Sequence, residues 1–240
     1  MILTIKKLLF LLITSKLNSK KNLSYLDLNF RKIDFTNHNK VKAFIFKKNF
    51  YTYKNKNIHS FDFLNFSNKL GGKIGINLSK ESIFGWFAKY KNKINFPWSE
   101  DLGSKRLINL LYNYEYINSS SNSKDKKKLD IIIFIHLQRN LYDFNARKIT
   151  EISSFDLVAY LLSSLIINKF NKRKIDYVKF IVENQIDKIG MHKSYNLLEH
   201  SKFINNLNEI KNILLFFQIE ESNIFDELIL KMTSILNQYF

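Results

Sequence analysis

The side chains able to move protons or hold metals are few in this chain. Cysteine is absent, which excludes disulfides, thiol nucleophiles and cysteine-ligated metal or cluster sites. The five histidines are His38, His59, His136, His192 and His200. None stands three or four residues from another, so no helix carries two imidazoles on one face for a metal. His192 and His200 are eight apart, with Glu199 beside the second, and would meet only if the fold brought them together. No His-Glu-x-x-His, Gly-x-Ser-x-Gly or Gly-x-Gly-x-x-Gly run is present. The stretch Gly71-Gly72-Lys73-Ile74-Gly75 marks a turn, and it lacks the Gly-Lys-Ser/Thr ending of a phosphate loop. The acidic pairs Glu100-Asp101 and Glu220-Glu221 fall at predicted helix starts, where the helix dipole accounts for them. No catalytic residue, metal, cofactor or small-molecule substrate is therefore assigned, and the chain is read as a non-enzyme.

What remains is cationic chemistry. The 240 residues carry 38 Lys+Arg against 21 Asp+Glu, a formal charge of +17, and the sequence pI is about 9.7. A polyanion is the partner class that such an excess implies. Part of it reflects base composition: Phe, Tyr, Met, Ile, Asn and Lys, whose codons are AT-rich, make up 130 of the 240 residues. Mutational drift explains 33 Lys against 5 Arg, but it would spread lysine evenly. Instead, residues 1–150 hold 28 basic and 10 acidic groups, and residues 151–240 hold 10 and 11. The front part is expected to meet phosphate and the back part to meet protein. The residues expected to contact RNA are Lys73, Lys89, Lys91, Lys93, Lys105 and Arg106, followed by Lys124, Lys126, Lys127 and Lys128, then Arg139, Arg147 and Lys148.

The elements that must hold these groups read as an α+β chain. Residues 15–40 are polar and Lys/Asn-rich, and Val41, Ala43 and Ile45 alternate as in a half-buried strand. The apolar run Leu8–Ile13 follows two lysines but is too short to span a bilayer, so no stable membrane insertion is expected. The aromatics of residues 50–66 suit a core. Trp86 and Trp98 read as anchors rather than base-stacking platforms. Ser99 is the expected cap of a helix with Leu107, Leu110 and Leu111 inward. Residues 118–128 read as a solvated loop ending in the lysine cluster. Leu129–Leu137 then reads as a strand covered on both faces, with His136 in the core. Three or four helices should follow: one capped by Ser153 or Ser154 and running to about Phe170, one stopped by Gly190, one over 195–218, and a last one capped by Ser222. The expected divisions are a basic extension (1–70), an α/β region that binds RNA (71–150) and a helical region (151–240).

The segment from Lys73 to Leu110 resembles the universal small-subunit ribosomal protein three family in its bacterial and mitochondrial form. The residues that carry the likeness are Gly71-Gly72-Lys73, Gly75-Ile76-Asn77, Trp86-Phe87-Ala88-Lys89, Glu100-Asp101-Leu102 and Lys105-Arg106-Leu107-Ile108. Glu151–Ala159, continuing to Lys172-Arg173, is similar to the helix that follows the family's RNA-binding KH module. The resemblance implies a small KH-like sheet containing Ile131–Ile135. Glycine is absent between Gly103 and Gly190, so the family's Gly-x-x-Gly contacts are not carried over. The family's Gly- and Arg-rich C-terminal half has no counterpart, as expected for one portion of a split gene. The implied function is a structural constituent of the mitochondrial small ribosomal subunit, organelle-encoded and in the matrix, with rRNA and other small-subunit ribosomal proteins as partners. Two alternatives are a plasmid or phage DNA-binding replication or partition protein, and a lineage-specific membrane-associated organellar complex subunit.

Overall fold

A computed structural model describes residues 56–93, 96–98, 101–167 and 170–239. Regular structure among them is helical throughout: α1 (Lys56–His59), α2 (Phe63–Leu70), α3 (Gly72–Tyr90), α4 (Leu102–Tyr112), α5 (Tyr114–Asn118), α6 (Ser123–Asn145), α7 (Ser154–Ile166), α8 (Lys172–Gln185), α9 (Leu197–Phe216) and α10 (Asp226–Leu236). The chain divides into two compact units, Met1–Tyr142 and Asp143–Phe240. The Leu8–Ile13 run, the 15–40 segment, the Val41–Ile45 strand, His38 and the Ser99 cap with Glu100 lie outside the described residues.

The expected α+β architecture with a KH-like sheet is overturned, because no strand exists among the described residues. The expected strand Leu129–Leu137 is the middle of the 23-residue helix α6. The 118–128 loop shrinks to residues 119–122, and the lysine cluster forms the first turns of α6. A short apolar run reads alike as buried strand or buried helix. The deciding signal lies further along. Buried positions recur at Leu129, Ile132, Ile133, His136, Leu137, Asn140, Leu141 and Phe144, a period of three to four, while Ile131 is exposed. No glycine or proline interrupts this stretch. The Asn122 carboxamide oxygen accepts the Asp125 N–H at 2.8 Å and starts the helix.

In the first unit, Gly71 and Gly72 both take φ +65°, and this left-handed step turns α2 into α3. Gly75, expected in that turn, is helical and serves close packing. A Cβ there would strike the Tyr116 hydroxyl and lie 2.8 Å from the Ser67 carbonyl oxygen. Tyr116 donates to that same carbonyl at 2.6 Å, which draws α2, α3 and α5 together. Between α2 and α4 runs a one-directional amide relay: Asn68 donates to Asn113, Asn113 to Asn65, Asn65 to Asn109, and Asn109 to Asp62, each at 3.0–3.1 Å. These carboxamides satisfy one another where both helices are partly buried.

In the second unit, Ser153, one of the two expected caps, is the one used. Its hydroxyl accepts the Asp156 N–H, and the Asp156 carboxylate takes the Ser153 N–H at 2.9 Å in return. Helix α7 ends at Ile166, short of the expected Phe170. Helix α8 stops at Gln185 rather than at Gly190. The chain turns instead around Asp187, whose carboxylate accepts the N–H groups of Ile189, Gly190 and Met191, with Gly190 at φ +99°. Ser222 is no cap; it sits in a 3-10 turn, Glu220–Asn223, and α10 begins after Phe225. Helix α9 packs on α7 and α10, and its Phe203, Leu207, Ile210 and Leu214 are buried.

Candidate nucleic-acid interface

The first unit is organised around a buried cation. Arg106 on α4 is fully buried. Its guanidinium carbon lies 4.0 Å from the Trp86 ring centroid and 4.2 Å from that of Trp98. Its Nε donates to His136 Nε2 at 2.9 Å, and its Nη1 donates to the His59 carbonyl at 2.6 Å and the Pro97 carbonyl at 3.3 Å. His136 must then keep Nε2 unprotonated, and its Nδ1–H donates to Ile132 O at 2.8 Å. Burial, and secondly the adjacent Arg106 charge, hold this imidazole well below the ordinary histidine range. Trp86 Nε1 donates to His59 Nδ1 at 2.9 Å. The guanidinium suits such a site because it is planar and weakly hydrated; an ammonium would not.

Arg139 on α6 is the second inward cation. Its guanidinium carbon stands 3.7 Å from the Trp98 centroid. Nη2 donates to Lys93 O at 2.9 Å and Nη1 to Lys91 O at 3.4 Å. Trp98 Nε1 donates to Tyr90 O at 2.8 Å, at the C-terminus of α3. Both tryptophans are buried, as their expected role as anchors requires.

The lysines face outward. Lys73, Lys89, Lys91, Lys93, Lys124, Lys126, Lys127 and Lys128 are all exposed. The start of α6 lies beside the middle of α3: Lys128 Nζ is 4.1 Å from the Phe84 ring centroid, and Lys80 Nζ is 3.5 Å from Asp125 Oδ2. The opening turns of α6 carry four lysines against Asp125 and Asp130, a net positive charge at the positive end of the helix dipole that an anion would relieve. At the other end of α3, Lys89, Lys91 and Lys93 form a second group.

The thirteen expected phosphate contacts thus separate by geometry. Arg106 and Arg139 are buried, and their guanidiniums hold the core and the α3 terminus. Lys105 is ion-paired to Asp101 at 2.6 Å. Arg147 pairs at 2.7 Å with Asp156, completing the α7 cap in the second unit. Lys148 is exposed, also in the second unit. The eight remaining lysines belong to the first unit.

Three features escaped the sequence reading: the His59–Trp86 bond, the asparagine relay, and the Tyr114 hydroxyl donating to buried Asp130 at 2.6 Å. Burial pushes both Tyr114 and Asp130 up, and the carboxylate adds to the shift on the phenol. Helical spacing offered one hint, because Asn109 and Asn113 stand four apart. His192 and His200 do come together, but through the backbone. His192 N–H donates to His200 Nδ1 at 3.1 Å, and His200 Nε2–H donates to Met232 O at 2.9 Å. No cluster of three metal-ligating side chains exists among the described residues, and no helix among them is long and apolar enough to cross a membrane.

Comparison with protein-family models, curated proteins and solved structures returned no match.

Proposed function

We propose that the chain is a structural RNA-binding protein whose first unit neutralises phosphates with exposed lysines, and that it serves in the mitochondrial small ribosomal subunit on rRNA. One observation carries the polyanion reading. The whole net charge lies before Asp143: residues 1–142 hold 26 basic and 9 acidic groups, and residues 143–240 hold 12 of each. Within the described part of that first unit, ten of these cations are solvent-facing lysines, the eight above with Lys56 and Lys69. Each phosphate contact releases counterions and contributes a salt-dependent term.

Placement on the ribosome rests on the resemblance over residues 73–110, without the KH-like sheet. In that stretch, Trp86 and Arg106 pack the core while Lys73 and Lys89 face solvent. The second unit, with its balanced charge, is the part proposed to meet neighbouring ribosomal proteins. Co-sedimentation of the tagged full chain with mitochondrial small subunits tests the placement. Recovery in the small-subunit fraction, lost after ribonuclease treatment, is expected. Absence from that fraction, or tighter binding to duplex DNA than to RNA, would overturn it.

A further inference from the structure

We infer that Arg139 is a positioning residue that aims Lys91 and Lys93 at phosphate, rather than a phosphate ligand itself. The inference rests on the RNA-binding reading above. The last carbonyls of any helix lack intrahelical partners. At the end of α3 the carbonyls of Phe87 and Tyr90 are taken up by the turn that follows and by Trp98. Lys91 N–H returns to Phe87 O at 2.9 Å, and Lys93 N–H to Tyr90 O at 3.0 Å. Trp98 adds its indole N–H to Tyr90 O. Arg139 spans the next carbonyls, those of Lys91 and Lys93, from 46–48 residues away in sequence. It also places a positive charge against the negative end of the α3 dipole.

The consequence is a fixed turn whose outward side chains are Lys89, Lys91 and Lys93, three like charges within five residues. A turn needed only for packing gains nothing from this crowding, which is self-repulsive until an anion arrives. Arg139 is 4% exposed, and its guanidinium, seated on Trp98, cannot reach a phosphate without leaving that seat. Its fork and plane are what the site uses, and a lysine there keeps the charge while losing both.

The test uses the full chain, a fluorescent polyuridine oligonucleotide, and Arg139→Lys alone and combined with Lys91→Ala/Lys93→Ala. The salt dependence of binding should flatten by about 1.5 in log–log slope with either change, the loss of two contacts. The combined variant should show no further loss. A wild-type slope in Arg139→Lys, or losses that add in the combined variant, would overturn the inference. Trypsin supplies an arm that needs no RNA. Cleavage after Lys91 and Lys93 should accelerate in Arg139→Lys, with cleavage after Lys126–Lys128 unchanged; equal acceleration at both places would mean general unfolding and would also overturn it. Trp98→Phe, which keeps an aromatic face under Arg139 but drops the bond to Tyr90 O, should act in the same direction by less. If the wild-type protein shows no salt-dependent RNA binding, the functional reading fails, while the trypsin comparison still decides whether Arg139 fixes the turn.

Discussion

The two units solve the same packing problem with different chemistry. The second closes its helices over an aliphatic core in which Val158, Leu161, Leu162, Val178, Ile181, Leu207 and Ile210 are fully or almost fully buried, with 12 cations balancing 12 anions. The first places Arg106 at its centre among Trp86, Trp98 and His136, and seals α2 against α4 with carboxamides. Among the described residues, ten of its lysines are exposed and none is buried. Arginine and lysine therefore have separate duties in the first unit: the two buried arginines set the shape, and the lysines provide the charge. A basic composition alone does not tell which cations are available to a ligand.

That contrast can be broken most severely at its centre. Arg106→Ala removes a buried cation, strands the His136 and carbonyl acceptors, and opens space between two indoles. It should cost about 3–5 kcal/mol in urea unfolding. Leu207→Ala in the second unit should cost about 2–5 kcal/mol through its cavity alone, with no polar contribution. Next comes charge. Replacing Lys124, Lys126, Lys127 and Lys128 with Gln should weaken RNA binding about 100-fold near physiological salt, as expected for several lost contacts. The matched change of Lys172, Lys179, Lys188 and Lys202 to Gln in the second unit should leave it within about twofold. Equal losses would erase the distinction between the units.

Acidification separates the units more gently. The folded pKa of His136 lies below its unfolded value near 6.5. Above about pH 6.5 neither state binds the proton, and the stability is complete. As pH falls through that value, the unfolded chain takes up the proton and the folded chain does not. Stability should then drop by up to about 1.4 kcal/mol per pH unit, until the folded pKa is reached. Denaturation series at stepped pH should show this slope relieved in His136→Gln. His192, whose pKa burial also lowers, is only half-buried and should contribute a shallower slope in the second unit. The smallest expected effect is Ser153→Ala, about 1 kcal/mol from the lost cap of α7, read by thermal unfolding.

The second unit was largely legible in the sequence because its helices announce themselves. Ser153 three residues before Asp156 is a capping box, and Ile175, Val178 and Val182 keep helical spacing up to the end of α8. Ser222 misled because a polar residue ahead of an apolar stripe serves a 3-10 turn as well as a cap. The first unit misled more. The β-branched run Ile131–Ile133 masked the period of α6, and the Ser/Asn-rich stretch before it read as a solvated loop that took in the lysines. Charge location was legible from residue counts. The inward turn of Arg106 and Arg139 was not, because it depends on Trp86, Trp98 and His136 arriving from three other places in the chain.

Salt-dependent binding of an RNA oligonucleotide to the full-length chain tests the central claim most directly. Eight lysines of the first unit acting on phosphates predict that log K falls with log salt at a slope of about −6. A slope near zero, or a steep slope left unchanged when those eight lysines are replaced with Gln in a chain that still folds, would contradict it.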